Sequence, residues 1–325
     1  MTKLAVWEIK QVFAEHEDID VTKHVEAGDL DVLIFTCVET AKDALQTGPP
    51  AGFSDFERDQ LISVIDAMRH SHTAIRRLLA VEQSPSAVDA LAIARLQLET
   101  LYSLCFLLQD PENIRLYLKN GWKKKYVRFL LEREECRELP RFDKFLNMKA
   151  GPFLDGLQKL SSVSDEEKRT IEIEELGAPF GPQPQHIRIR KFPTPMGVID
   201  AITEPTQKKM LARLYPEYQY LCSFAHGDSE ASLFRVISNK RSVASSLMST
   251  AQIEDFYQRA ILETPFIYSA LSAIQAATEI AAFYPGNLEL LVKVTKAWEF
   301  LRTAHLLSAV VWKLRAKHVL PLIGG

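Results

Sequence analysis

The chain of 325 residues is 47% hydrophobic and 25% charged, a globular composition that excludes disorder along its whole length. Its 39 Lys and Arg residues nearly balance its 42 Asp and Glu residues, and the net charge of -3 excludes binding of nucleic acid or an anionic membrane through an overall positive field. Any such binding requires a local patch. The length favours one large helical domain with an insertion, or two closely packed helical layers.

Cysteine usage and the N-terminal segment bear on where the protein is found. The four cysteines, Cys37, Cys105, Cys136 and Cys222, stand alone, with no CxxC pair. Isolated cysteines in mostly apolar surroundings are typical of small buried side chains in a reducing compartment. Residues 1–20 carry acids and other polar residues throughout and lack the apolar stretch of a signal peptide. We therefore expect a cytoplasmic protein that does not bind a membrane.

The first third of the chain predicts three helices after an N-terminal one. Apolar residues at intervals of three and four predict a helix over residues 29–45. Ser54 and Glu57, three residues apart, form a capping box that predicts a helix from there to about Ala80. Ser84 followed by Pro85 predicts the start of the next helix, which runs to about residue 109.

The middle of the chain contains shorter predicted elements and the principal loop. Helices are predicted over residues 111–120, 121–138, 141–160 and 165–176. Between Gly177 and Pro205 there are six prolines and three glycines, which exclude a continuous helix. We expect an N-terminal helical part (1–176), a Pro/Gly-rich loop (177–205) and a C-terminal helical part (206–325), with the two helical parts in one continuous domain.

The C-terminal part predicts one helix and then a long helical hairpin. The first helix runs from about residue 205 to residue 225 and ends at Gly227. Two long helices follow over residues 250–283 and 287–318, with Pro265 expected to bend the first of them. The most apolar segment, residues 266–283, is interrupted by polar residues, which indicates a buried core helix and not a membrane span.

These elements define the predicted fold class. The sequence contains no convincing alternating series of strands and no internal repeat. It therefore predicts an all-α fold, a multi-helix bundle with a Pro-rich insertion loop and a long C-terminal helical hairpin.

Three polar side chains interrupt the apolar pattern of the helix that follows Pro85. Arg95, Glu99 and Tyr102 are spaced by four and three residues, which places them along one face. A buried Arg–Glu pair costs free energy unless it is fully hydrogen-bonded. The pair therefore indicates either a structural ion pair at the rim of the bundle or a functional site.

A second polar group is predicted at the end of the helix near residue 225. Tyr218 and Cys222 share a face, and Ser223 and His226 lie close to that face. His226 fits two interpretations. It is either a helix-capping residue, bonded to a carbonyl group or to Glu99, or an acid or base in catalysis.

The two segments together resemble a bacterial all-helical family of unknown function, the DUF5677-type domain. The segments are residues 93–99 (IARLQLE) and residues 218–227 (YQYLCSFAHG). They are similar to the pattern of that family, an R-x3-E helix paired with a Y-x4-S-x2-H helix. The similarity covers about residues 60–240. More distantly, such proteins resemble HEPN-type helical bundles, many of which are metal-independent ribonucleases or their inactive relatives.

The resemblance implies roles for the polar residues. Arg95 would bind a phosphate, and His226 would act as acid or base on a ribose hydroxyl or a leaving oxygen. Glu99 would orient His226 or pair with Arg95, and Tyr218 and Ser223 would complete the polar pocket. The chain departs from HEPN nucleases in one respect, since those carry a His four to six residues after an Arg on one helix and this sequence has no such spacing.

Two classes of function are therefore predicted. One is a metal-independent ribonuclease or phosphate-ligand binder in bacterial defence or a toxin–antitoxin pair, with RNA or another phosphate-containing ligand as partner and with no cofactor or metal. The alternative is a non-catalytic helical interaction protein that forms a homodimer through the C-terminal hairpin. The apolar residues that favour this dimer are Trp298, Leu306, Leu307, Val310, Val311 and Trp312.

Two weaker motifs each have a second interpretation. His70 and His72 would suit a metal or a phosphate, or simply a solvated helix face, because residues two apart point in different directions. Residues 121–128 (GWKKKYVR) mix aromatic and basic side chains, which is typical of nucleic-acid surfaces and also of ordinary amphipathic helices. The familiar nucleotide-binding, zinc-protease and hydrolase motifs do not occur in the sequence.

Overall fold

The computed structural model describes residues 27–80, 88–135, 138–177, 187–226 and 263–320, with five single positions between 232 and 252. In these residues the chain forms helices and no strand, which confirms the predicted all-α fold class. The helix predicted at the N-terminus, the cap at Ser84 and Pro85, and the turn at Gly227 lie outside the described residues.

Twelve α-helices and one π-helix are found in the described residues. In chain order they are α1 (Ala27–Thr47), α2 (Asp55–Leu79), α3 (Asp89–Leu107), α4 (Pro111–Glu135), α5 (Pro140–Leu160), α6 (Asp165–Leu176), α7 (Pro195–Ala201), α8 (Pro205–His226), α9 (Thr264–Ala281), α10 (Leu288–Ala304), α11 (Leu306–Val311), a π-helix (Trp312–Ala316) and α12 (Lys317–Val319). The chain divides into two compact units, one formed by residues 1–106 and 195–325 and the other by residues 107–194.

Helix α9 is the central helix of the first unit. It packs against α1, α2 and α10, and every residue from Tyr268 to Ala281 is buried. The prediction of a buried core helix over this segment is therefore confirmed. Trp298 of α10 is buried against α9. Its indole Nε1 donates to Thr278 Oγ1 at 2.9 Å, so the buried donor of this large side chain is paired.

The capping box at the start of α2 forms as predicted. The backbone N–H of Ser54 donates to Glu57 Oε2 at 2.8 Å, and the N–H of Glu57 donates to Ser54 Oγ at 3.4 Å. Two of the four backbone donors that a helix N-terminus leaves unpaired are satisfied in this way. The same arrangement joins Ser164 and Glu167 at the start of α6.

The second unit consists of α4, α5, α6 and the segment after them. Helix α4 packs against α5 and α6, and its core contains Trp122, Tyr126, Leu130, Leu154, Val163, Ile171 and Ile189. The prediction of two helices that meet at Gly121 is wrong, because α4 is continuous. A glycine inside a helix costs about 1 kcal/mol, and burial of the aromatic side chains that follow it offsets this cost.

The described part of the predicted loop is attached to α4. Residues 187–194 form neither helix nor strand. The side chain of Asn120 donates to the carbonyl of Arg190 at 2.9 Å and accepts from the N–H of Phe192 at 3.1 Å. Helix α7 then begins at Pro195, within the range predicted as loop, because proline is well suited to the first turn of a helix.

The C-terminal hairpin forms, but its second arm is broken. Helices α9 and α10 pack against each other across a short turn, and Asn287 Oδ1 caps α10 by accepting from the N–H of Leu290 at 3.0 Å. The single helix predicted over residues 287–318 is wrong, since the chain leaves helical geometry at His305. Pro265 lies in the first turn of α9. Residues 253–262, which precede it in the predicted first arm, lie outside the described residues, so the bend at Pro265 stays a prediction.

Most of the hairpin residues that favour a dimer lie in the core of a single chain. Trp298, Leu307, Val310 and Val311 are each at most 3% exposed. Only Leu306 and Trp312 of this set are partly exposed. The homodimer stays a prediction, and of the residues that favour it only these two are exposed enough to contribute to the contact.

One described helix, α3, has the length and apolar composition of a membrane-crossing helix. Most of that stretch is buried inside the protein, which is typical of a core helix.

Candidate functional site

Helices α3 and α8 carry the predicted site residues and run antiparallel. Tyr102 Oη donates to the carbonyl oxygen of Leu211 at 2.7 Å, and Arg95 Nη2 donates to Tyr218 Oη at 3.0 Å. Moving seven residues forward along α3, from 95 to 102, therefore corresponds to moving seven residues back along α8, from 218 to 211. From this register, the level of each remaining residue along the two helices can be given relative to the Arg95–Tyr218 contact.

Arg95 is held by its neighbours on both helices. Its Nη2 lies 2.9 Å from Glu99 Oε2, and its guanidinium carbon lies 5.4 Å from the centre of the Tyr218 ring. Burial opposes the charge of Arg95, but hydrogen bonds to Tyr218 and Cys222 and the charge of Glu99 raise its pKa above the ordinary value. The cation is therefore fixed in position and stays charged.

One donor of this guanidinium has no acceptor. The Nε of Arg95 is buried and has no hydrogen-bond partner among the described residues. Tyr218 and Glu99 both contact the same terminal nitrogen, Nη2. A buried unpaired donor costs about 1–3 kcal/mol, so the described residues do not fully satisfy this guanidinium.

Tyr218 lies among other tyrosines. The centre of its ring is 6.0 Å from that of Tyr102 and 6.0 Å from that of Tyr215. Burial raises the pKa of Tyr218, although the charge of Arg95 acts in the opposite direction. The phenol therefore stays neutral near pH 7 and serves as an acceptor for Arg95.

Ser223 and His226 do not take part in the contacts between Arg95, Glu99 and Tyr218. The hydroxyl of Ser223 donates to the carbonyl of Tyr220 in its own helix at 2.8 Å. His226 is the last residue of α8, is exposed, and makes no hydrogen bond with a residue that the structure describes. It follows Tyr218 and Cys222 at intervals of four residues, so all three share one face of α8.

Glu99 and His226 lie on opposite sides of Arg95. In the antiparallel register Glu99 is level with residue 214 of α8, twelve residues before His226, which corresponds to about 18 Å along the helix axis. Glu99 therefore pairs with Arg95 and is too distant to orient His226. The structure brings Arg95, Glu99 and Tyr218 together, leaves His226 on the same face, and engages Ser223 elsewhere.

A second polar cluster, which the sequence did not reveal, lies on another face of α8. Arg213 Nη1 contacts Glu217 Oε1 at 3.2 Å, and Tyr268 Oη donates to Glu217 Oε2 at 2.5 Å. His305, at the break between α10 and α11, is electrostatically coupled to Arg213 and Glu217, and burial lowers its pKa. Its Nδ1 accepts from the N–H of Leu307 at 3.2 Å, so the neutral ring carries its proton on Nε2.

A third group is buried between α1, α2 and α9. His72 is fully buried, with Nε2 2.9 Å from Asp31 Oδ1 and Nδ1 2.7 Å from Ser269 Oγ. Burial lowers the pKa of His72, although Asp31 acts to raise it. The carboxylate accepts only, so in the neutral ring Nε2 donates to Asp31 and Nδ1 accepts from Ser269. Ser269 is 0% exposed, which keeps this relay away from any substrate.

A fourth group ties the C-terminal segment to the core. Arg315, in the π-helix, donates from Nε and Nη2 to the two oxygens of Glu279 at 2.9 and 2.7 Å, and from Nη1 to Glu204 at 2.9 Å. Glu279 also accepts from Gln207 at 2.7 Å and from Gln275 at 2.6 Å. The buried carboxylate is therefore fully paired, which is the condition for burying a charge.

These three additional groups had only one signal in the sequence. Polar residues inside the otherwise apolar segment 266–283 have partners in the structure: Ser269 and Glu279 contact other helices, and Gln275 donates to Glu279 within α9. Their partners are distant in sequence: Ser269 and His72 are 197 residues apart. Periodicity shows that such residues are buried, but it does not show which residue forms a hydrogen bond with each of them.

The weaker sequence motifs resolve into ordinary structure. His72 is buried and His70 is exposed, so the two do not share a site. In the described residues no group of three or more His, Cys, Asp or Glu side chains is arranged to hold a metal ion. Trp122 and Tyr126 stack on each other in the core of the second unit, with ring centres 4.6 Å apart, and are therefore not available to stack on bases.

Comparisons of the chain with protein-family models, with curated protein sequences and with solved structures find no match in any of the three. The resemblance to the DUF5677-type domain and to HEPN-type bundles therefore stays a prediction from the sequence.

Proposed function

We propose that the face formed by Arg95, Tyr218 and His226 binds a phosphate group of RNA and supports cleavage of the phosphodiester without a metal ion. The observation that carries the proposal is that a fixed, charged Arg95 on α3 contacts Tyr218, on the face of α8 that also carries the exposed His226. An arginine fork is the side chain best suited to a phosphate, and histidine is the side chain that most often moves protons near neutral pH.

The geometry supports a phosphate between the two side chains. The hydrogen bond between Arg95 and Cys222 brings the guanidinium toward the end of α8 that carries His226. His226 leans back toward Cys222, because side chains of a helix lean toward its N-terminus. Cys222 and His226 are one turn apart, or about 6 Å along α8. A phosphate group in this gap would be reached from one side by the guanidinium and from the other by the imidazole.

The reaction needs only groups already on this face. The ribose 2′-hydroxyl oxygen attacks phosphorus and loses its proton to water, while the bond to the 5′-oxygen breaks and that oxygen takes a proton from His226. Arg95 stabilises the negative charge that develops on the phosphate oxygens. The products carry a 2′,3′-cyclic phosphate and a 5′-hydroxyl, and His226 recovers its proton from water.

Tyr218 and Glu99 have a positioning role in this proposal. Tyr218 Oη and Glu99 hold Arg95 in place before the phosphate arrives, which lowers the entropy cost of binding. Ser223 has no role, because its hydroxyl is bonded within α8. The setting of bacterial defence or a toxin–antitoxin pair rests on the resemblance alone and stays a prediction.

The test is cleavage of a pool of single-stranded and structured RNA by the purified protein with EDTA present. We expect products with 2′,3′-cyclic phosphates, and a loss of about 100-fold or more in rate for His226→Ala, as for removal of a general acid. Arg95→Ala should also remove binding of uncleaved RNA, whereas His70→Ala, which changes another exposed helical histidine, should match the wild type.

Two results would contradict the proposal. Cleavage that persists at the wild-type rate in His226→Ala would show that the activity arises elsewhere. No binding and no cleavage by the wild type, with Arg95→Ala less stable to heat, would indicate that the Arg95 group is structural and would favour the interaction-protein alternative.

A further inference from the structure

Two side chains lie beside Arg95 on the side away from His226. The pairing of residues 95 with 218 and 102 with 211 places Glu99 level with residue 214, next to Tyr215. Tyr215 and Glu99 therefore lie at the same level along the two antiparallel helices. Tyr215 has no role in binding the phosphate itself, and Glu99 contributes to that binding only by holding Arg95 in place.

Glu99 presents a fixed carboxylate that is still accessible. Its Oε2 is held by Arg95 at 2.9 Å, and the side chain is 41% exposed. An ionised carboxylate only accepts hydrogen bonds, so it selects a ligand with donors at that position.

Tyr215 supplies an aromatic surface at the same level. It is half-buried, and the centre of its ring lies 6.0 Å from that of Tyr218, so its position is set by a second ring. Seven residues of α8 separate Tyr215 from Cys222, or about 10 Å along the axis. A nucleotide that lies along this face of α8 would therefore place its base near Tyr215 and its 3′-phosphate at the end that carries Cys222 and His226.

We propose that Tyr215 and Glu99 form a base subsite that selects guanine in the nucleotide whose 3′-phosphate lies between Arg95 and His226. The inference rests on the proposed function and extends it to a substrate class, RNA cleaved after guanosine. Tyr215 stacks on the base, and Glu99 accepts hydrogen bonds from its edge.

Guanine is the base that fits a carboxylate at this position. Its N1–H and its exocyclic amino group are adjacent donors, which pair with the two oxygens of one carboxylate. Adenine and cytosine each place a ring acceptor beside their amino group, and uracil places carbonyl acceptors on both sides of its single N–H. These acceptors would face the negative charge of Glu99. The repulsion would exclude adenine, cytosine and uracil from the subsite, in addition to the loss of hydrogen bonds.

The test is binding of the four nucleoside 3′-monophosphates by isothermal titration calorimetry. We expect the guanosine nucleotide to bind the wild type about tenfold or more tightly than the others, the discrimination expected of one bidentate contact. Glu99→Gln should remove this preference. Tyr215→Leu should weaken all four nucleotides by about fivefold or more through loss of stacking, and Tyr117→Leu, which changes an exposed tyrosine of the second unit, should leave binding unchanged.

The outcomes separate this inference from the proposed function. Equal binding of the four nucleotides, with RNA cleaved at all bases, would overturn the guanine subsite and leave the phosphate site standing. A guanosine preference that survives in Glu99→Gln would overturn the role of Glu99. No binding of any nucleotide together with no cleavage of RNA would overturn both. Thermal unfolding of each variant identifies any loss of fold. Glu99→Asp provides a second variant: it keeps the charge beside Arg95, and the preference for the guanosine nucleotide should again be lost.

Discussion

Several buried polar side chains in the first unit are joined in hydrogen-bonded groups. His72 uses both ring nitrogens, and Arg315 uses all three of its nitrogens. Arg69, Arg95 and Arg213 differ, since each has a buried Nε without a hydrogen-bond partner among the described residues. A buried donor without a partner can take a further contact from a ligand. Of these three arginines, Arg95 is the one that contacts Tyr218, on the face of α8 that carries His226.

The relay at His72 predicts that stability falls in mild acid. The pKa of His72 is lowered in the folded protein. Below pH 6.5 the unfolded chain therefore binds a proton at His72 while the folded chain does not. The free energy of unfolding should then fall by up to about 1.4 kcal/mol per pH unit until the pH reaches the folded pKa.

Urea unfolding at a series of pH values between about 5 and 8 measures this dependence. His72→Gln should flatten the curve, because glutamine keeps hydrogen-bonding groups and does not titrate. His70→Gln, on the exposed side of the same helix, should leave the curve unchanged. Identical slopes for the wild type and His72→Gln would show that the buried histidine does not control acid stability.

At the scale of elements, helix ends are set by local side chains. The capping boxes at Ser54 and Ser164 begin α2 and α6, and Asn287 begins α10. The break between α10 and α11 uses the same device, with His305 as the acceptor for the N–H of Leu307. Each cap supplies an acceptor for backbone donors that the helix leaves unpaired.

Removal of the caps should lower stability by a modest amount. Ser54→Ala is expected to cost about 1 kcal/mol, because the N–H of Glu57 loses its acceptor and the box opens. Ser63→Ala, in an exposed position within the same helix, should have no cost, since alanine favours a helix. Chemical denaturation of both variants decides the matter, and equal stability of the two would contradict the role of the box.

The cap at His305 should depend on pH. A protonated imidazole has no acceptor nitrogen, so protonation releases the N–H of Leu307, and burial already lowers the pKa of His305. His305→Ala should cost about 1 kcal/mol at neutral pH, and His305→Asn should keep the cap and lose its pH dependence. Backbone hydrogen exchange at Leu307 measures the cap directly. Protection that does not change between the wild type and His305→Ala would exclude it.

At the scale of the whole molecule, ion pairing in the core joins segments that are distant in sequence. Arg315 and Glu204 are 111 residues apart, and Arg315 and Glu279 are 36 apart. These contacts fix the C-terminal π-helix against α8 and α9 within the first unit. Helices α4 to α6 form a separate core made mostly of aromatic and aliphatic side chains.

Breaking the Arg315–Glu279 pair should destabilise the first unit strongly. Arg315→Met leaves a buried carboxylate without its cation, which typically costs 3–5 kcal/mol, about half of the stability of an ordinary domain. Arg315→Met combined with Glu279→Gln should recover part of this loss, because the uncompensated charge is removed. The matched control is Arg128→Met, since Arg128 is paired with Glu132 but is 81% exposed. Equal stability of Arg315→Met and Arg128→Met in urea would overturn the argument.

The predicted homodimer is tested by the mass in solution. If the hairpin pairs with a second copy, the mass should be twice the chain mass of 36.8 kDa, and Leu306→Glu should halve it, because Leu306 is one of the two hairpin residues still partly exposed. Light scattering after gel filtration gives the mass. A single-chain mass for the wild type would remove the dimer and with it the main support for the interaction-protein alternative.

The sequence by itself determined the features that depend on neighbouring residues. Helical periodicity gave α1, α2 and the buried α9, and the short-range pattern of Ser54 and Glu57 gave a helix start, because capping involves residues only three apart. It also placed Arg95, Glu99 and Tyr102 on one face of α3. It gave a break at Gly121 that does not occur, since burial of nearby aromatic side chains outweighs the propensity of one glycine.

Only the tertiary structure decided which polar groups meet. Arg95 and Tyr218 are 123 residues apart, and His72 and Ser269 are 197 apart, so no local pattern links them. The antiparallel register of α3 and α8 separates Glu99 from His226, although the sequence motif groups them. The break at His305 likewise depends on the partners that bury the histidine. Contacts between distant segments are set by packing and by the need to pair buried polar groups, and a single sequence does not record these requirements.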